Sequence, residues 1–250
     1  MDNHGLKFTD HGAHVLSAET SKGDLFYLSS AARLGSASPI RGGVPIIAPW
    51  FGPFLKGDPK HGWARTSQWN TTLTDAGFAA ELEQDGLVLG YQASLEDDVL
   101  TLRLTMQNTT DESRMVQFAL HPYFAVSDVR DIKVSGCAGE SVLDRVDGKR
   151  ETAGEAFTFD GELLDSIVEE GVAEVTIEDA ERTLSLRMRG HDSIVVWNPG
   201  EREADKLEDV GPKEWSAFVC VEPAVLGAEQ QGTQLSPGEI NELTLEVSVQ

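Results

Sequence analysis

Basic residues are scarce in this chain. Twenty Lys and Arg stand against forty-two Asp and Glu, for a formal charge of −22. A field of that sign repels phosphate backbones and anionic bilayers, so neither nucleic acid nor a membrane surface is an expected partner. The acidity itself reads as solubility. Cysteine is scarcer still. Cys137 and Cys220 lie far apart, and neither sits in a CxxC or Cys/His cluster, so no structural zinc is implied. Cys220 falls in an apolar run and reads as a small core residue. No apolar run approaches the ~20 residues of a membrane span. The first ten residues, MDNHGLKFTD, lack a basic-then-apolar leader pattern. A cytoplasmic location is expected. No GxxxxGK[ST], GxSxG or HExxH occurs, and no GxGxxG follows a strand. A site free of cofactor and metal is the simplest expectation.

What is present is period-two alternation. Leu100, Leu102, Leu104 and Met106 alternate with Thr101, Arg103, Thr105 and Gln107, as a half-buried strand requires. Residues 182–190 and 242–249 repeat the pattern. Shorter strands are predicted over 25–30, 87–93, 114–120, 131–137, 173–178, 193–198 and 217–222. Asp-Gly and Pro-Gly turns punctuate them. Long helices are missing; a turn or two is predicted over 204–210, and another within 160–167, where Gly161 weakens it. Many strands without βαβ alternation predict an all-β, antiparallel sandwich, folded as a single domain over residues 1–250.

One window reverses the charge. Residues 25–74 hold Arg33, Arg41, Lys56, Lys60 and Arg65 against Asp58 alone, a net +4, so the other 200 residues sum to −26. Guanidinium forks bind phosphate, and Gly42-Gly43 beside Arg41 permits close backbone approach. Trp50, Trp63 and Trp69 lie in the same window. Either they offer flat faces to a sugar ring or they are core. The arginines either bind a small anion or pair with the acidic surface; the charge reversal favours the anion. Lys56 and Lys60, flanking Gly57-Asp58-Pro59, read as a loop that attracts or covers a ligand.

Six histidines are present. His4, His11, His14 and His191 are expected to face solvent. His121 ends a strand whose other face, Val116, Phe118 and Leu120, reads as core; Pro122 then stops pairing. It is either a rim histidine or an acid–base group. Glu222 shares a face with Phe218 and Cys220 in AFVCVEPA, and Pro223 is expected to end that ladder. It is either an edge carboxylate in water or a buried one, whose pKa would rise into the range of a general base.

Several segments, in order, resemble one family: RGGVPIIAPWFGPF, HGWAR with Trp69, ALHPYF, LLD at residues 163–165, VVWNPG and FVCVEPA. They are similar to the glucose-6-phosphate 1-epimerases, the hexose-phosphate branch of the aldose 1-epimerase (mutarotase) superfamily. The resemblance spans Arg41 to about Glu222. It implies a galactose-mutarotase-like β-supersandwich and interconversion of the α and β anomers of a hexose 6-phosphate without metal or cofactor. It carries the acid/base histidine to His121 and the carboxylate base to Glu222. Substrate binding falls to Arg41 and Arg65 at the phosphate, with His61 and Asp165. The expected partner is therefore a small sugar phosphate, bound by a monomer. In two places the chain departs from the pattern. Asp165-Ser166-Ile167-Val168 stands for Asp-Arg-x-Tyr, and His121-Pro122-Tyr123-Phe124 for His-Ser/Thr-Tyr-Phe. Epimerisation of unphosphorylated sugars, or sugar-phosphate binding without catalysis, are the alternatives.

Overall fold

The computed structural model describes residues 1–35, 37–54 and 59–250. Two antiparallel sheets, of nine and eight strands, dominate it, and a four-stranded sheet is formed by strands within residues 2–24. In the nine-stranded sheet Val99–Asn108 lies between Leu87–Glu96 and Ile240–Val249. Register places Leu102 between Ala93 and Leu245, and Leu104 between Tyr91 and Leu243. All six are buried, so one face is a continuous apolar wall. Each Leu so buried stabilises by ~1.5–3 kcal/mol. Thr101, Arg103 and Thr105 fall on the other face.

The eight-stranded sheet positions the site. Leu164–Val168, Ser193–Asn198 and Phe218–Val225 are successive neighbours. Phe218–Val225 is flanked on its other side by two short strands, Phe118–Leu120 and Tyr123–Ala125. Val219, Val221, Ile194, Val196, Phe118 and Leu120 join the main core with the apolar wall of the nine-stranded sheet. The opposite face carries Cys220, Glu222, Val195, Trp197 and Asp165. Small apolar clusters around Ile47, Phe51 and Ile167, and around Tyr27 and Tyr123, cover part of that face. Consequently every residue from Phe218 to Val225 is buried.

Several local expectations are corrected. Leu25–Ser30 is not a ladder strand; Phe26 and Leu28 make isolated bridges, and the Asp24 carboxylate takes the Phe26 N–H at 3.0 Å. The 160–167 stretch is not helical, since Gly161 adopts φ +95° and Leu164–Val168 is a strand. The one α-helix among the described residues is Gly200–Ala204, upstream of the predicted 204–210, started where Asn198 Oδ1 accepts Gly200 N–H at 2.8 Å. Pro223 does not end its strand, which continues to Val225. The Ala224 carbonyl accepts from Asp192, so residue 223 turns its amide position the other way. That side faces Leu120 by register, and the pairing with Phe118–Leu120 ends at Ala119–Ala224, so the missing N–H falls where the ladder stops. No helix among the described residues is long and apolar enough to cross a membrane.

Candidate active site

Register brings His121 to Glu222. Ala119 pairs with Ala224, and Tyr123 with Cys220. Carried through the break at Pro122, the same register sets His121 opposite Glu222. Its backbone N–H leaves the ladder for the Pro45 carbonyl at 3.0 Å. His121 Nδ1 then lies 3.3 Å from Glu222 Oε1. Glu222 is 1 % exposed, and its Oε2 is buried without a hydrogen-bond partner. A carboxylate oxygen left unpaired in this way costs about 1–3 kcal/mol or more, and it points to a donor supplied from outside the fold.

His121 and Glu222 open into a pocket of about 210 Å³ lined also by Arg41, Lys60, His61, Arg65, Arg145, Asp165, Phe51 and Trp197. All six predicted site residues therefore meet in one cavity. Arg41 sits on the glycine turn. It donates to the Tyr123 hydroxyl at 2.7 Å and to Asp209 at 3.0 Å. The Tyr123 ring in turn stacks on His121, centroids 4.8 Å apart and 2° from parallel. Arg65 donates to the Lys60 carbonyl at 2.7 Å, while its Nε, like that of Arg41, is buried and unpartnered. Gly62 must be glycine, because a Cβ there would meet the Ala48 carbonyl oxygen at 1.9 Å. That close contact sets the chain path from His61 to Arg65. His61 Nδ1 accepts the Gly52 N–H at 3.2 Å, which leaves its Nε2 as the free nitrogen.

Other parts of the charged window do different work. Arg33 pairs with Glu208 on an exposed surface. Lys56, with Gly57 and Asp58, lies outside the described residues. Trp63 and Trp69 are core, and Trp50 is half-buried with its indole N–H on the Pro59 carbonyl. The flat apolar faces in the pocket belong to Trp197 and Phe51 instead. Trp197 was legible from alternation, since it follows Val195 on the face opposite Ile194 and Val196. Arg145 was not: it is brought in by strand pairing twenty residues away. Its N–H donates to the Asp165 carbonyl at 2.8 Å, and its guanidinium lies 3.3 Å from the Asp165 carboxylate. His14, expected in solvent, is fully buried, with Nε2 2.8 Å from the Gly42 carbonyl. His11 and His191 are half-buried, while His4 is exposed.

The electrostatics are those of a dry, cationic cleft. Burial holds Glu222 well above the usual carboxylate range; Asp165 adds to this, and Arg145 opposes it. Burial also holds His121 well below 6.5, helped by His61, Arg41 and Arg65. His61 is pushed down to about 2, by burial first and then by Arg65, Lys60, Arg145 and Arg41. Asp165 is raised, mainly by burial, against the pull of Arg145 and Lys60. Both shifts run towards the uncharged forms, imidazole for His121 and carboxylic acid for Glu222. Donor atoms of His121, Cys220 and Glu222 lie within 4.8 Å of one another, a spacing a metal ion could span. Four lining cations, Arg41, Lys60, Arg65 and Arg145, oppose a dication there.

The sequence profile of the family described as aldose 1-epimerase matches residues 2–248. The chain belongs to the aldose 1-epimerase family. Among curated members, a "Putative glucose-6-phosphate 1-epimerase" of Salmonella typhimurium is 29% identical, over 93% of this chain and 84% of that protein. One of the same name from Cenchrus ciliaris is 28% identical, over 92% and 76%. The fold of this epimerase superposes on the crystal structure of a "putative mutarotase" from Salmonella typhimurium with TM-score 0.87. That match has 27% identity and covers 100% of this chain and 88% of the other. The galactose-mutarotase-like β-sandwich expected from the sequence is the fold found.

Proposed function

We propose that this epimerase interconverts the α and β anomers of a hexose 6-phosphate, glucose 6-phosphate being the first candidate. The observation that carries the reading is one cavity holding two chemistries. His121 and Glu222 form a buried proton-exchanging pair. Arg41 and Arg65, each with a buried unpartnered Nε, supply donors for an anion. The names of the Salmonella and Cenchrus relatives support the same substrate class.

In this reading Arg41 and Arg65 hold the phosphate, so binding energy remote from C1 orients the ring. Asp165 accepts from a sugar hydroxyl, and Trp197 and Phe51 flank the ring. Glu222 takes the proton from the C1 hydroxyl while His121 protonates the ring oxygen. The C1–O5 bond opens to the aldehyde. Rotation about C1–C2 presents the other carbonyl face, and closure reverses both transfers. Each transfer contributes about 10²–10⁴ in rate. His61 Nε2–H is a donor available to the ring.

Anomer exchange followed by NMR on glucose 6-phosphate and on glucose tests the reading. A clear preference for the phosphate, lost in Arg65→Met, is expected. Equal rates on both sugars would remove the phosphate role of the two arginines.

A further inference from the structure

The proposed reaction needs His121 to donate a proton, yet the groups around it oppose the charged form. The groups facing His121 are Glu222 and Cys220 from Phe218–Val225, Tyr123 beyond the proline, His61 and Arg65 from the 61–65 turn, and Arg41. The three cationic or basic members, His61, Arg41 and Arg65, all disfavour the imidazolium, as does burial. Glu222, whose charge would stabilise it, is itself shifted towards its protonated form by burial. Two of the opponents are the proposed phosphate ligands. One of them is also mechanically joined to the histidine, since Arg41 binds the hydroxyl of the ring that stacks on His121.

We propose that the phosphate end of the substrate arms the acid: an anion seated on Arg41 and Arg65 converts the His121–Glu222 pair from neutral to imidazolium and carboxylate. The inference rests on the hexose-phosphate reading above. His121 Nδ1 lies 3.3 Å from Glu222 Oε1 and makes no hydrogen bond, so it is open to take one proton from the Glu222 carboxyl once the two groups align. None enters or leaves the pair, and Nε2–H becomes the donor to the ring oxygen. A dianion favours this arrangement because it cancels the two arginines and attracts the new positive charge inside a low-dielectric cleft. Phosphate is then more than a handle. It is a switch that withholds acid catalysis until the correct ligand is seated.

The switch does not require phosphate to be bonded to the sugar, so inorganic phosphate should activate turnover of plain glucose. The test uses the wild-type protein. Anomer exchange of glucose is measured with and without inorganic phosphate, subtracting the buffer-catalysed rate, while imidazole spectra follow the titration of His121. At saturating phosphate the His121 midpoint should rise by about one pH unit or more, and the enzymatic glucose rate by about tenfold. Both responses should vanish in Arg65→Met. Phosphate that binds, by ³¹P line broadening, without moving His121 or the glucose rate overturns the switch and leaves the substrate reading intact. Phosphate that inhibits glucose turnover also overturns it. Phosphate that does not bind at all overturns both.

Discussion

Glu222→Gln keeps the shape of the buried side chain and removes its ability to take a proton. Anomer exchange should fall by about 10²–10⁴, while the dissociation constant for the sugar phosphate, measured by calorimetry, stays near wild type. Unchanged turnover would overturn the mechanism. The pair also fixes the shape of the pH profile. Burial places the Glu222 midpoint high and the His121 midpoint low, so one proton is shared across a wide window. The acid limb of kcat/KM marks a second proton entering the pair, and the alkaline limb marks the shared proton leaving. Each limb belongs to both residues together. The alkaline limb should lie above the ordinary carboxylate range and disappear in Glu222→Gln. Alternation beside a proline singled out these two residues but left each open between a rim or edge group and an acid–base group; it was the family resemblance that named them together, and strand register that brings them within 3.3 Å. Arg145 could not be singled out in this way, since nothing local to residue 145 reports that its strand will lie against Asp165.

The Arg41-Gly42-Gly43 turn shows how backbone geometry controls a side chain. Gly42 and Gly43 adopt φ +105° and +59°. A Cβ on Gly43 would meet the Val15 carbonyl oxygen at 2.2 Å and His14 Nε2 at 2.8 Å. In Gly43→Ala the turn must move, and Arg41 with it, at a cost of about 1–2 kcal/mol for the left-handed residue before any clash. The Kd for sugar phosphate should weaken about tenfold, equivalent to ~1.4 kcal/mol, with a smaller effect on plain glucose; equal weakening of both sugars would show that the turn does not serve the phosphate. Glycine pairs announce such turns in a sequence. What was not announced is that the pairing with Phe118–Leu120 stops at Ala119–Ala224, one residue short of Pro223, while Phe218–Val225 runs on through it. A proline's tolerance depends on which neighbour its missing N–H would have faced, and that is a property of the assembled sheet.

Folding stability responds to the whole set of buried groups, and His14 offers the clearest probe. Burial lowers it from 6.5 to about 4, against the hydrogen bond to Gly42. Its folded midpoint lies below its unfolded one, so its contribution is fully present above pH 6.5 and is lost as pH falls towards 4. The difference is roughly 3 kcal/mol by linkage. Forty-two acidic residues respond with the opposite sign, since protonation relieves self-repulsion. The comparison is therefore between variants: denaturant-derived stability should fall less steeply from pH 6.5 to 4 in His14→Gln than in wild type. Parallel slopes would show that His14 titrates in the fold as it does in the unfolded chain. The alternation of Leu100 to Met106 and the turns settled the all-β class by themselves, and the charge reversal marked where the cations concentrate, because these depend on period and composition. The solvent-facing reading of His14, the sugar-facing reading of Trp63 and Trp69, and the absence of Arg145 from the predicted site were decided only by tertiary structure. Burial, strand register and the ionisation of the His121–Glu222 pair arise from groups distant in the chain, and no local pattern encodes which of them will meet.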